Sequence, residues 1–197
     1  MSRARIFLAG VGGQGTLTAT NLLGLMAMDQ GLHVCAGEIH GMAQRGGIVE
    51  SALLLGGYMS PKIAKGEADI LLGFEPLETL RALPYTHAQG IIVSNTEPTV
   101  PVGVSLGQET YPRLETVQTR SLECTSQCFF VPCKTLAAQA GTVLSANMVL
   151  LGALCAAGSD SFTLKGLQAA ISKHLPAKIV DLNLQAAQLG HDAALSH

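Results

Sequence analysis

One stretch of the chain crowds reactive side chains among glycines. Between Gly37 and Gly47 stand Glu38, His40, Gln44 and Arg45, interleaved with Gly41, Met42 and Gly46. Glycine lets backbone come close to a ligand or partner and reach positive φ. Polar groups carried on such a loop are placed for contact, not for core packing. The His40 imidazole titrates near neutral pH and can carry a proton. The plainer role, a hydrogen bond across an interface, uses the same atoms. Arg45 can grip a carboxylate or phosphate through two parallel N–H bonds. It can equally pin Glu38 or a carbonyl of a partner. Met42 suits the filling of an apolar gap.

A second stretch, Gly10-Val11-Gly12-Gly13-Gln14-Gly15, has the G-x-G-x-x-G spacing at Gly10, Gly12 and Gly15. With a strand before it and a helix after it, its amides point at an anion beyond the strand end. Glu38 then lies near the end of the second strand, where a dinucleotide-binding fold places its ribose-binding acid. The same glycines also serve a tight strand-to-helix turn without any ligand, and spacing alone leaves both readings open. The cofactor-binding candidates are therefore Gly10, Gly12, Gly13, Gln14 and Gly15. The candidates facing substrate or partner are Glu38, His40, Gly41, Met42, Gln44, Arg45, Gly46 and Gly47. No residue draws a catalytic assignment, and no metal ligand set is expected.

Holding such groups in place takes a sheet. Residues 5–9 are a short apolar run bounded by glycine, as in a buried parallel strand. Leu17, Leu22, Leu23, Leu25 and Met26 recur at helical spacing over 16–30, and Gly31 stands where a helix C′ residue belongs. Further strands are expected at 32–36, 48–55, 69–74, 90–94 and 129–131, with a short helix at 75–83. Residues 96–117 read as irregular, with Pro98, Pro101 and Pro112 as breakers. Helices are expected at 134–140, 146–157, 164–175 and 178–189, Ser145 capping the second and Pro176 near the start of the last. Strands alternating with helices predict an α/β fold. It is a Rossmann-like, doubly wound, largely parallel sheet with helices on both faces and a helical part over 143–197. Residues 1–197 form a single domain. If the strands before the two glycine stretches are neighbours, both stretches share the carboxyl edge, where such sheets bind ligands.

Only 13% of the residues are charged, about half the ~25% usual for a soluble domain. That is little charge for the surface of a monomer, so much of the surface is expected to meet protein, in a heteromer or a homodimer. The net charge of −2, with no basic run, argues against nucleic acid, whose phosphates call for clustered Lys and Arg. No apolar run approaches the ~20 residues of a membrane span. The apolar start is too short for a signal peptide and runs into the glycine turn, so it reads as a first strand. Five cysteines are an odd set, against a secreted disulfide framework, and a reducing cytoplasm is the expected location. Cys124, Cys128 and Cys133 have C-x3-C-x4-C spacing, unlike the tight run of a bacterial ferredoxin. The last two flank the apolar Phe129–Val131, so the cluster reads as buried or incidental thiols, with an iron–sulfur or zinc site as the alternative.

The Gly-x-Gly-Gly-Gln-Gly turn, with Gly13 and Gln14 as its central pair, resembles the gamma subunit or domain of the 2-oxoacid:ferredoxin oxidoreductases. Arg45-Gly46-Gly47 matches a loop many of these proteins carry after their second strand. Glu38, His40, Gly41, Met42 and Gln44 are similar to the small subunit of the indolepyruvate branch. Asn147 to Gly152 is similar to the start of a late helix in the family, and Asn183 to Gly190 to a C-terminal pattern in which Ala187 replaces an aromatic. The likeness spans essentially the whole chain. It implies oxidative decarboxylation of a 2-oxoacid of the indolepyruvate or arylpyruvate kind with coenzyme A to an acyl-CoA. It also implies a larger partner subunit that carries thiamine diphosphate, Mg and [4Fe-4S] clusters, with ferredoxin as electron acceptor. No Gly-Asp-Gly magnesium motif and no ferredoxin cysteine run occur in this sequence, so the isolated chain is expected to be inactive. The rival readings are a stand-alone dinucleotide-binding dehydrogenase or redox sensor, and a non-catalytic assembly scaffold.

Overall fold

A computed structural model describes residues 3–40, 47–100, 102–107, 110–158 and 161–196. The chain runs β1 (Ala4–Val11), α1 (Thr16–Asp29), β2 (Val34–His40), β3 (Ile48–Leu55) and β4 (Ala68–Gly73). After these come α2 (Pro76–Ala82), a 3-10 turn at Leu83–Tyr85, β5 (Thr86–Asn95), α3 (Val102–Ser105), α4 (Leu114–Cys124) and β6 (Gln127–Val131). The rest is helical: α5 (Cys133–Gln139), a 3-10 turn at Val143–Ser145, α6 (Ala146–Ala156), α7 (Leu164–His174) and α8 (Ala177–Leu195).

The strands form one sheet in the order β2-β3-β1-β4-β5-β6. β1, β4, β5 and β6 pair in parallel, while β3 runs antiparallel to both β1 and β2. Five described strands thus point one way and β3 alone is reversed. The reason is the short link between β2 and β3. A parallel return needs a crossover of a dozen or more residues, whereas a short loop folds the chain straight back. The largely parallel, doubly wound sheet stands as expected, but β1 and β2 are not neighbours, because β3 lies between them.

Both faces of the sheet are covered. On one face Ile6, Leu8, Leu53, Leu55 and Leu72 pack against α1 and the late helices. On the other, Phe7, Ala9, Leu54, Leu71 and Ile92 pack with Ala82 of α2 and with Leu83. Phe7 also stacks on Tyr85, ring centroids 4.2 Å apart. α6 is the innermost helix. Its run from Met148 to Leu154 is buried all round, as an apolar helix without a polar face must be. Gly152 and Gly190 let α6 and α8 touch backbone to backbone. A Cβ on Gly152 would lie 1.9 Å from the Ala187 carbonyl oxygen, and one on Gly190 1.9 Å from that of Val149. Ala187 itself is fully buried in this contact.

α1 ends as its sequence predicts. Gly31 has φ +76°, its N–H donates to the Met28 carbonyl, and the Leu32 N–H donates to that of Ala27. These are the two bonds of a Schellman motif.

Candidate functional site

The glycine turn lies at the carboxyl end of β1 and is held there by a dense set of bonds. Gly10 has no room for a side chain. A Cβ there would lie 2.8 Å from the Phe74 Cβ and 2.9 Å from the Thr16 Oγ1. Gln14 folds back under the turn. Its Oε1 accepts from the Val11 N–H at 2.7 Å, while its Nε2 donates to the Phe74 carbonyl at 2.9 Å and to the Thr99 Oγ1 at 3.1 Å. The side chain expected to meet a ligand is thus engaged in fastening β1 to the end of β4. Gly15 is the N-cap of α1, with φ +76°. A Cβ on it would sit 2.5 Å from the Asn147 Nδ2, which donates to the Gly15 carbonyl at 3.4 Å. The first helix therefore begins against the late helix α6.

The second loop returns to this turn. The Gly12 N–H donates to the Gly47 carbonyl at 2.9 Å, which puts the base of the loop beside the glycine turn. Glu38 lies on β2, exposed and opposite Ser51. His40 is the last residue of β2, opposite Val49. Gly41, Met42, Gln44, Arg45 and Gly46 lie outside the described residues. β2 is an edge strand two places from β1, which is roughly 10 Å at the usual strand spacing. In a dinucleotide-binding fold the acid follows the strand next to the glycine turn. Glu38 does not have that placement, so the geometry gives the stand-alone dehydrogenase no support.

Several polar groups at this edge were not singled out in the sequence. Glu75 is completely buried yet well satisfied. Its Oε2 caps α2 by accepting from the Leu77 N–H at 2.6 Å and the Glu78 N–H at 3.1 Å. Its Oε1 accepts from the Thr99 N–H at 3.3 Å and from the Tyr111 hydroxyl. A buried carboxylate is tolerable only with such a complement of donors. Burial, and then the bond to Glu75, push the Tyr111 phenol above its ordinary range. Asn95 ties the ends of three segments. Its Nδ2 donates to the Phe74 and Glu97 carbonyls and its Oδ1 accepts from the Cys133 N–H. The Glu97 carboxylate caps α5 through the backbone N–H groups of Lys134 and Thr135. The stretch read as irregular is therefore a strap fastened across the carboxyl edge. The one readable signal was Glu75-Pro76, an acceptor before a proline at a helix start.

Asn95 and Thr99 border a cleft of about 750 Å³ that runs from Gly12–Gly15 past Lys134 and Asn147 to Asn183 on α8. Two aliphatic side chains at its mouth, Val143 and Leu144, stand well exposed. Burial pushes the Cys128 thiol up to about 11 and the Cys155 thiol up to about 12, and it raises that of Cys133 further. Among the described residues no three His, Cys, Asp or Glu side chains gather as metal ligands. Among the described residues no helix is long and apolar enough to cross a membrane.

Residues 5–193 match the pyruvate ferredoxin/flavodoxin oxidoreductase family. The chain is 37% identical to indolepyruvate oxidoreductase subunit IorB of Archaeoglobus fulgidus, over 98% of this chain and 96% of that protein. It is 40% identical to the subunit of the same name from Pyrococcus horikoshii, over 98% and 97%. Its fold is similar to that of the keto/oxoacid ferredoxin oxidoreductase gamma subunit from Geobacter sulfurreducens, with TM-score 0.71 and 21% identity over 98% and 99% of the two chains. The pyruvate oxidoreductase subunit from Thermotoga maritima gives TM-score 0.72 and 20% identity over 98% and 97%.

Proposed function

The chain belongs to the pyruvate ferredoxin/flavodoxin oxidoreductase family, and on that premise we propose that it is the small subunit of an indolepyruvate:ferredoxin oxidoreductase. The observation that carries the reading is the likeness, at 37% and 40% identity over nearly full length, to two subunits that bear the indolepyruvate name. The assembled enzyme converts a 2-oxoacid and coenzyme A to an acyl-CoA, carbon dioxide and a proton. The two electrons released pass to ferredoxin. The larger subunit brings thiamine diphosphate, Mg and the [4Fe-4S] clusters, and thiamine diphosphate supplies carbanion stabilisation there.

This chain contributes the carboxyl edge of its sheet. In the proposal that edge faces the larger subunit in the cytoplasm. Glu38, His40, Gln44 and Arg45 make the contact. The amides of Gly12 to Gly15, at the positive end of α1, receive an anionic part of the substrate or of coenzyme A. The bond from Gly12 to the Gly47 carbonyl supports one shared edge. The low charged fraction of 13% suits a surface covered by protein, including a homodimer when the partner is missing.

The test is co-purification with the larger subunit, followed by arylpyruvate-dependent reduction of an artificial electron acceptor. The pair reduces the dye and this chain alone does not. Turnover by the pure chain, or a complex indifferent to arylpyruvates, refutes the reading.

A further inference from the structure

The cleft beside the glycine turn has a chemistry of its own. Its volume, about 750 Å³, lies in the range of small-molecule sites. Its walls are largely aliphatic, with Leu150, Leu175, Ile179 and Leu182 among them. Lys134 is the only charged side chain among the described residues that line it. The Lys134 ammonium donates to the Pro98 carbonyl, which leaves two of its three N–H donors for another group.

Asn183 supplies the discriminating feature. It lines the cleft and is only 7% exposed. Its Nδ2 donates to the Ile179 carbonyl of its own helix at 2.8 Å. That bond fixes the amide, because a flip would set two oxygens against each other. The Asn183 Oδ1 then has no hydrogen-bond partner within the described chain, and it is not among the side-chain atoms sealed from the surface. A nearly buried acceptor at an aliphatic wall asks for a ligand that donates. A hydroxyl would bring lone pairs that need partners of their own, whereas an indole N–H donates and accepts nothing.

We propose that this cleft binds an aromatic acid of the indole type. The ring lies against the aliphatic wall, its N–H donates to the Asn183 Oδ1, and its carboxylate meets the Lys134 ammonium. The choice of indole among N–H heteroaromatics rests on the indolepyruvate reading above. The site itself rests on Asn183, Lys134 and the cleft.

The test uses the complex of this chain with its larger subunit and two probes. Indole-3-acetate has no 2-oxo group to decarboxylate. Benzothiophene-3-acetate has nearly the same shape, with sulfur in place of N–H. Hydrogen–deuterium exchange of the complex is followed at peptides covering 143–150 and 177–184. Indole-3-acetate slows exchange in both peptides, with a half-saturating concentration about tenfold lower than that of the sulfur analogue, the usual effect of one unpaired buried acceptor. Asn183→Leu abolishes the difference between the probes, and Lys134→Met weakens both. Equal affinity of the two probes for the unaltered complex, or no protection of these peptides, overturns the proposal without any variant. Arylpyruvate oxidation is measured in parallel. Oxidation without protection removes this site and leaves the function standing. Protection without oxidation keeps the site and removes the indolepyruvate reading.

Discussion

Gly15→Ala tests how the first helix is seated. Gly15 holds φ +76°, a left-handed conformation that costs an ordinary residue roughly 1–2 kcal/mol. The new methyl would also fall 2.5 Å from the Asn147 Nδ2, so the amide must swing away and its bond to the Gly15 carbonyl is lost. A net hydrogen bond is worth about 1 kcal/mol. The two effects sum to roughly 2–3 kcal/mol of destabilisation. For a chain of 197 residues that lowers the melting temperature by about 4–12 °C. Urea unfolding measures the free energy directly. The partition is checked in an Asn147→Ala background, where the clash has been removed. There Gly15→Ala costs only the backbone share, about 1–2 kcal/mol. A Gly15→Ala protein within about 0.5 kcal/mol of its parent, the ordinary scatter of neutral surface changes, refutes the reasoning. Equal costs in both backgrounds refute the Asn147 contact alone.

Three further outcomes follow from the same edge. Gln14→Ala removes bonds to Val11, Phe74 and Thr99 and destabilises the chain by about 1–3 kcal/mol in urea unfolding. Tyr111 is held protonated by burial and Glu75, so the stability it lends is fully present below the ordinary phenol value of about 10 and drains away as the pH rises from there toward the raised folded value. Ultraviolet titration of Tyr111→Phe below about pH 11 therefore matches that of the parent, and a smaller phenolate signal in the variant counts against the buried hydrogen bond. Arg45→Ala lowers arylpyruvate-dependent dye reduction by the assembled enzyme, whereas Arg113→Ala, at the start of α4, leaves it near the parental rate.

Much of the fold was legible because its signals are local. β3 falls at the expected 48–55, and Gly31 ends α1 as its position predicts. What escaped was tertiary in origin. The last helix was expected over 178–189, yet α8 runs on to Leu195, with Gly190 inside it serving the contact with Val149. α4 was read partly as irregular, since its polar surface buries only Val117 and Ser121 and carries no side-chain cap. Local periodicity is weak in a helix of that kind. Strand order was also out of reach, because no residue announces that β3 inserts beside β1. For the site, the two glycine stretches were visible in the sequence, and their contact through Gly12 and Gly47 is a matter of topology. Glu75 and Asn95 act through carbonyls and amides far along the chain, and only the folded backbone brings those to them.

The reversed strand also changes how freely the second loop can be rewritten. β3 is bonded along its length on both sides, to β1 and to β2, so the two ends of residues 41–47 are clamped whatever those residues are. The closure entropy of a flexible loop grows only logarithmically, and doubling its length costs about 0.6 kcal/mol. The clamped hairpin is therefore a graft site, into which the corresponding segment of a relative can be spliced, shorter or longer, while the sheet keeps its register. Such an exchange of segments between relatives leaves the core beneath the sheet as it is.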